Sequence, residues 1–427
     1  MVQSKVQDTA PLSPLAETLI GSEIVKLGGE IRERIRKGEK IYNFTIGDFD
    51  SSIFPIPAAL ENLIIESFKN KFTTYPPADG IAALRESVSE FISKYEGLDY
   101  APDEVLIGAG GRPLIYTAYR AVVGRGDKVI YPVPSWNNNH YVHFTEGEHI
   151  VIEADAENNF MPTADSIRPH VKDAVLIAVC SPLNPTGTVF RKEELEKICD
   201  LILEENHRRA ADEKKLYLLY DQMYWTLTYG DTVHYSPTGL RPEMKEYTIY
   251  IDGISKAFAS TGVRVGWALG PKKVLAKMKA INSHVGAWSP MAEQQAVARY
   301  LKDHKAVESY LEEFKRKLSD RLQQIYAGFQ TLKKEGFSVD ACSPEASIYL
   351  TIRFDLTGKK TASGEALARQ SDVAAYLLSE AKLAVVPFYA FGASRESPWY
   401  RLSVGTCKTE QIDEMIGKLR SALQKLS

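Results

Sequence analysis

Cysteine is scarce and scattered. The 427-residue chain carries only Cys180, Cys199, Cys342 and Cys407, with no CxxC pair. That spacing excludes a zinc knuckle and a thioredoxin-type dithiol, and the four read as buried thiols of a reducing compartment. Long apolar runs are also missing. The run Val175–Cys180 is strand-sized, far short of the roughly 18 residues of a membrane span, and segment 1–17 is too polar for a secretory signal. Neither charge sign dominates: 52 Lys and Arg against 55 Asp and Glu leave a net charge of −3. Nothing therefore favours nucleic acid or an anionic membrane as a main partner. Repeats and low-complexity tracts are absent, and 44% hydrophobic with 25% charged residues excludes global disorder. What remains is a cytoplasmic, multi-domain globular protein that folds without disulfides.

Strand-like and helix-like segments alternate, which favours an α/β fold. Residues 13–38 read as one amphipathic helix with Ile20, Ile24, Leu27, Ile31 and Ile35 on one side. Strands are predicted at 41–46, 104–107, 128–131, 149–153, 174–180, 216–220, 248–252 and 265–269. Helices are predicted at 60–69, 81–95, 113–123, 136–144 and 192–208. The apolar, β-branched run at 174–180 suits a strand covered on both faces. The expected fold is a large domain with a mostly parallel sheet, of the seven-stranded type, covered by helices. A smaller α+β domain formed by both termini completes it. The boundaries are 1–50 for an N-terminal segment packing on the small domain, 51–305 for the large domain and 306–427 for the small one. A long charged helix at 291–334, strands near 347–353, 383–386 and 401–404, and helices at 370–380 and 409–424 belong to the last part.

In open α/β sheets ligands bind at the carboxyl ends of strands, so the residues just after each predicted strand matter most. Gly110-Gly111-Arg112 follows one strand and opens a helix at Pro113. Such a turn can cradle phosphate with free N–H groups, or can simply be tight; it is neither a Walker A motif nor a complete dinucleotide fingerprint. Asn184-Pro185-Thr186-Gly187 follows the most apolar strand, where a Pro/Gly turn is the plain reading. Asp221, with Tyr224 three residues on, ends another strand; a carboxylate there needs a cationic partner, whether from the protein or a ligand. Lys256 follows Ser255 after the strand at 248–252. It is a candidate nucleophilic amine if its pKa is depressed, although most lysines are solvated surface residues.

Taken together these segments resemble the class I/II aminotransferases, the fold-type I enzymes of pyridoxal 5′-phosphate. The carriers are YPPADGIAALRE, GAGGRP, YPVPSW, SPLNPTG, YDQMYW, SKAFASTGVRVGW and YRLSVG, in family order over about residues 42–405. The resemblance implies that Lys256 holds the cofactor and then acts as general base, with Asp221 on the pyridine nitrogen. Asn184 and Tyr224 would partner the ring's 3-oxygen. Gly110, Gly111, Arg112, Ser255 and Arg264 would form the phosphate site, with Trp136 stacked on the ring. Arg401 would clamp the substrate carboxylate, with Gly47 and Asn184 beside it. Tyr75 would reach the phosphate of a neighbouring subunit, implying a homodimer with shared sites. Arg112-Pro113 departs from the hydroxyl residue or lysine common in relatives. His140 and His143 lie near Trp136, but no third ligand completes a metal site.

The implied activity is amino transfer between an L-amino acid, aspartate-like, and a 2-oxo acid such as 2-oxoglutarate. Arg112 or Arg120 would meet a distal carboxylate. Alternatively Tyr42, Phe44, Phe49, Trp225, Trp288 and Phe388 would line a pocket for an aromatic or aliphatic substrate. A carbon–sulfur lyase would use almost the same residues. A DNA-binding regulator on this fold would need an added N-terminal domain, and a nicotinamide dehydrogenase would leave NPTG and SKAFASTG unexplained.

Overall fold

The computed structural model describes residues 12–21 and 23–427. The first eleven residues of the expected N-terminal segment lie outside them. The centre of the molecule is a seven-stranded sheet in the order Val105–Gly108, Gly266–Leu269, Thr248–Gly253, Tyr217–Asp221, Ala174–Cys180, Lys128–Val133, Glu148–Glu153. All neighbours pair in parallel except those of Gly266–Leu269, which runs against both its partners. The sheet is buried on both faces, so its strands read as apolar runs rather than alternating ones. Alternate residues feed two cores: Ile177, Tyr220 and Tyr250 pack on one side, and Leu176, Leu219 and Ile251 on the other.

A second sheet is antiparallel, in the order Val386–Pro387, Trp399–Ser403, Tyr349–Phe354, Val339–Ala341. Its core is shared with helices His304–Lys334, Gln370–Glu380 and Ile412–Leu423, through residues such as Leu318, Leu377 and Leu419. Arg401 sits on the second strand of this sheet, so the sheet's packing against the large one decides where that guanidinium points.

The structure breaks three elements that the sequence pattern joins. Residues 13–38 are not one helix: Pro14–Glu17 and Glu23–Arg36 are separate, since Thr18 ends the first and Gly21 follows. The long helix after Met291 stops at Lys302; Asp303 then caps a second one by accepting from the Ala306 N–H (3.1 Å). The strand at 383–386 splits between sheets. Leu383–Ala384 pairs in parallel with Tyr42–Asn43, while Val386–Pro387 joins Trp399–Ser403.

The N-terminal segment touches both halves of the molecule. Lys40 pairs with Glu414 (2.7 Å) beside the smaller sheet's helices. Ile24 and Leu27 of helix Glu23–Arg36 pack on the large sheet's core.

Candidate active site

The carboxyl ends of the parallel strands open into a cavity of about 620 Å³. Gly47, Gly111, Arg112, Trp136, Asn184, Asp221, Tyr224, Ser255, Lys256, Arg264 and Arg401 all line it. Gly110 is one residue away, against the Arg264 guanidinium. Tyr75 is not in the cavity. It is 82% exposed and stands edge-on to Trp288, with ring centroids 5.1 Å apart.

Lys256 sits in the short helix Ile254–Ala257, directly after the strand Thr248–Gly253. Its Nζ donates to the Gly47 carbonyl (2.6 Å). Burial lowers its pKa to about 8, helped by Arg401, Arg112 and Arg264 and opposed by Asp48. An amine so placed gives up its proton more readily than an ordinary lysine, and so becomes nucleophilic and basic at a lower pH.

Asp221 ends the strand Tyr217–Asp221 and accepts from the Met223 N–H (3.1 Å). Burial raises its carboxyl to about 6. It has the cost of a buried acid with no cation among the described residues beside it, the situation that a ligand cation would relieve. The Tyr224 hydroxyl meets the Tyr349 hydroxyl at 2.8 Å, and burial pushes the Tyr224 phenol well up.

Arg401 is 2% exposed. Its Nη1 donates to Asn184 Oδ1 (3.1 Å) and its Nη2 to the Thr45 carbonyl (2.6 Å). The guanidinium lies 4.7 Å from the Tyr349 ring centroid and 4.9 Å from that of Phe391. All these partners are neutral. Gly47 faces it closely: a Cβ there would come within 2.8 Å of the Tyr349 hydroxyl, so only glycine leaves the space in front of Arg401 open.

The opposite end of the cavity is built from backbone and two more guanidiniums. Gly110, at φ +85°, turns the chain into helix Gly111–Val122, whose first N–H groups have no intrahelical acceptor. Arg264 donates to the carbonyls of Ala109 (2.6 Å) and Thr261 (2.8 Å). The Arg112 guanidinium rests over the Trp136 ring at 5.2 Å. No carboxylate among the described residues pairs with Arg112, Arg264 or Arg401. The cavity therefore holds fixed positive charge at both ends and awaits anions at both.

Three residues here carried no sequence signal. Tyr349 sits in a strand with no motif around it. Asp48, which accepts from Thr261 Oγ1 (2.7 Å), was hidden behind Gly47. Arg32, on helix Glu23–Arg36, joins the cavity rim. Other expectations moved. Arg120 donates to the Phe144 carbonyl (2.9 Å) and lines no part of the cavity, so it is not the cation for a distal carboxylate. None of Tyr42, Phe44, Phe49, Trp225, Trp288 and Phe388 lines it either; Trp225 and Phe388 belong to the large core. His143 reaches the Leu15 carbonyl (3.0 Å), and no metal-ligating cluster exists among the described residues. The cysteines are all unpaired, but only Cys199 and Cys407 are fully buried. No helix among the described residues is long and apolar enough to cross a membrane.

A cavity at the carboxyl ends of a parallel sheet, with a buried amine of lowered pKa between two anion sites, fits an enzyme acting on a carboxylate. Residues 39–419 match the family model of aminotransferase class I and II. An aspartate aminotransferase of Bacillus sp. (strain YM-2) is 29% identical over 384 residues, 90% of this chain and 92% of the relative. A probable aspartate/prephenate aminotransferase of Rickettsia felis is 29% identical over 380 residues, 88% of each. The crystal structure of the aspartate aminotransferase from Rhizobium meliloti superposes with a TM-score of 0.87 at 27% identity, covering 98% of this chain and all of that one. The chain belongs to the class I and II aminotransferase family. It is an enzyme, a transaminase with an aspartate aminotransferase-like fold.

Proposed function

We propose that the chain binds pyridoxal 5′-phosphate on Lys256 and moves an amino group between an L-amino acid, aspartate-like, and a 2-oxo acid such as 2-oxoglutarate. The carrying observation is the charge plan of the cavity: Lys256 and Asp221, both shifted by burial toward their neutral forms, lie between guanidiniums at either end that have no carboxylate partner among the described residues. A cofactor with a phosphate at one end and a ring nitrogen that takes a proton fits that plan. Its ring, when bound, draws electrons from the bond broken at the substrate's α-carbon.

The residues then divide the work. Arg264, Ser255 and the N-terminus of helix Gly111–Val122 bind the phosphate. Asp221 Oδ supplies the negative charge that keeps a proton on the ring nitrogen. The hydroxyl of Tyr224, tied to Tyr349, and the amide of Asn184 serve the ring oxygen, and Trp136 covers the ring. Arg401 forks the substrate carboxylate, oriented by Asn184 and Thr45. Once released, the Lys256 Nζ carries the proton between neighbouring carbons, a task its lowered pKa suits. Arg112, with no carboxylate partner among the described residues, is the cavity's candidate for a distal carboxylate, which supports an aspartate-like donor.

We also propose a homodimer with shared sites and the domain division 1–50, 51–305 and 306–427. Exposed Ile65, Phe68, Phe72 and Tyr75 support an apolar contact face. A cytoplasmic location is likewise proposed, on composition alone.

Borohydride reduction of the cofactor-loaded protein, followed by peptide mass mapping, tests the reading. A pyridoxyl group on Lys256 supports it. A modified lysine elsewhere, or none, contradicts it.

A further inference from the structure

One buried acid has no part in this chemistry. Asp252, 2% exposed, lies on the strand Thr248–Gly253, three residues before Ser255. It accepts from two N–H groups: Gly253 N donates to Oδ1 (2.6 Å) and Trp225 Nε1 to Oδ2 (2.8 Å). No cation among the described residues pairs with it. Glu96 and Asp221 are instead nearby negative groups, and burial pushes its carboxyl well up. A buried carboxylate held this way costs free energy, so its geometry deserves a reason.

The reason lies in what its two donors belong to. The segment Asp221–Trp225 turns at the end of its strand, with Asp221 and Tyr224 lining the cavity. Gln222 and Trp225 instead reach away from it. Gln222 Nε2 donates to Glu96 Oε2 (2.8 Å), and Trp225 packs edge-on against Phe91 in the large core (5.9 Å). Gly253, the other donor, begins the short helix that carries Lys256. Asp252 thus bonds the segment bearing Asp221 and Tyr224 to the segment bearing Lys256, from the face opposite the cavity. Among the described residues no other side chain accepts from both.

Resting on the cofactor reading above, we propose that Asp252 is a positioning residue: through Trp225 and Gly253 it sets the spacing between Lys256 and the Asp221–Tyr224 pair. A catalytic set misplaced by a fraction of an ångström loses rate without losing substrate affinity. Arg401, which holds the substrate, stands on a different sheet and is outside this link.

The test uses Trp225→Phe, which keeps a ring and removes the N–H, Asp252→Asn, which turns one acceptor into a donor, and the double variant. In the loaded protein, each single variant is expected to lower kcat by about tenfold with KM within about twofold of the parent. The visible absorbance band is expected to titrate at a shifted pH. The double variant should lose no more than the worse single one. Unchanged kcat and titration with only a lower melting temperature would overturn the proposal, as would losses that multiply in the double variant. If Asp252→Asn does not fold, kcat, KM and titration of Trp225→Phe alone decide: a lower kcat at unchanged KM with a shifted titration supports the proposal, and unchanged kcat and titration overturn it. Hydrogen–deuterium exchange on the cofactor-free protein separates this idea from the cofactor reading. Faster exchange confined to segments 221–225 and 253–257 supports the link even if the parent takes up no pyridoxal phosphate. No local change, or a rise throughout the sheet, overturns it.

Discussion

Two residues carry the sharpest consequences of burial. The Asp221 carboxyl sits at about 6 instead of 3.8, so the folded protein holds its proton more tightly than the unfolded chain. Its contribution therefore favours folding at low pH and is lost as pH rises from about 4 to about 6, by up to roughly 3 kcal/mol. Cofactor-free Asp221→Asn should then melt higher than the parent at pH 7 and equal to it near pH 4, while losing transamination; thermal melts across that range check it. An Asn variant that melts lower at pH 7 would refute the account of Asp221. Arg401 makes a different point. Its fork is held by Asn184 and Thr45 with both Nη groups engaged. A lysine cannot keep that geometry and still meet a carboxylate twice. Arg401→Lys is expected to raise KM for both amino acid and oxo acid by roughly a hundredfold, measured by steady-state kinetics with each substrate varied. Asp221 was legible in the sequence because it ends a strand within a recognisable motif, and Arg401, inside its strand, because the segment YRLSVG around it resembles that of the family. Tyr349, Asp48 and Arg32 were not, because their roles come from strand packing and helix placement that no local pattern records.

At the level of elements, Gly266–Leu269, the lone antiparallel strand of the large sheet, is the piece that shapes the phosphate end. A Cβ on Gly266 would lie 2.9 Å from Gly110 Cα and 2.8 Å from its carbonyl carbon. The strand therefore approaches the turn so closely that backbone, not side chain, sets the gap. Gly266→Ala should push Gly110 and the start of helix Gly111–Val122 outward. The expected cost is roughly 2 kcal/mol or more of stability, with weaker cofactor retention, read by chemical denaturation and by dialysis of the loaded protein. The seven strands of the large sheet were readable to within a residue or two, because burial on both faces writes itself as short apolar runs between turn residues. The interrupted helices were not. Asp303 and Gly21 are single residues within otherwise continuous amphipathic patterns, and whether one of them ends a helix is settled by packing.

For the whole molecule, the proposed sharing of sites between two subunits makes a prediction that no single residue can. Tyr75 lies outside its own chain's cavity, so it would serve the partner's. Lys256→Ala and Tyr75→Ala homodimers should each be weak or inactive. Mixed and exchanged, they should regain activity, because each heterodimer holds one site with both residues intact. Persistent inactivity of a verified heterodimer would contradict shared sites. Chain-level organisation was partly visible in sequence: the alternation of elements indicated the large sheet and both termini were expected to meet in the smaller domain, but the pairing of Tyr42–Asn43 with Leu383–Ala384, more than three hundred residues apart, is a register no local pattern records. The measurement that bears most directly on the central claim is the absorbance spectrum of the loaded protein as single L-amino acids are added without any oxo acid. The account predicts that an aspartate-like donor bleaches the visible band and that 2-oxoglutarate restores it. A band that no amino acid converts, or release of ammonia in place of that reversible exchange, would contradict it.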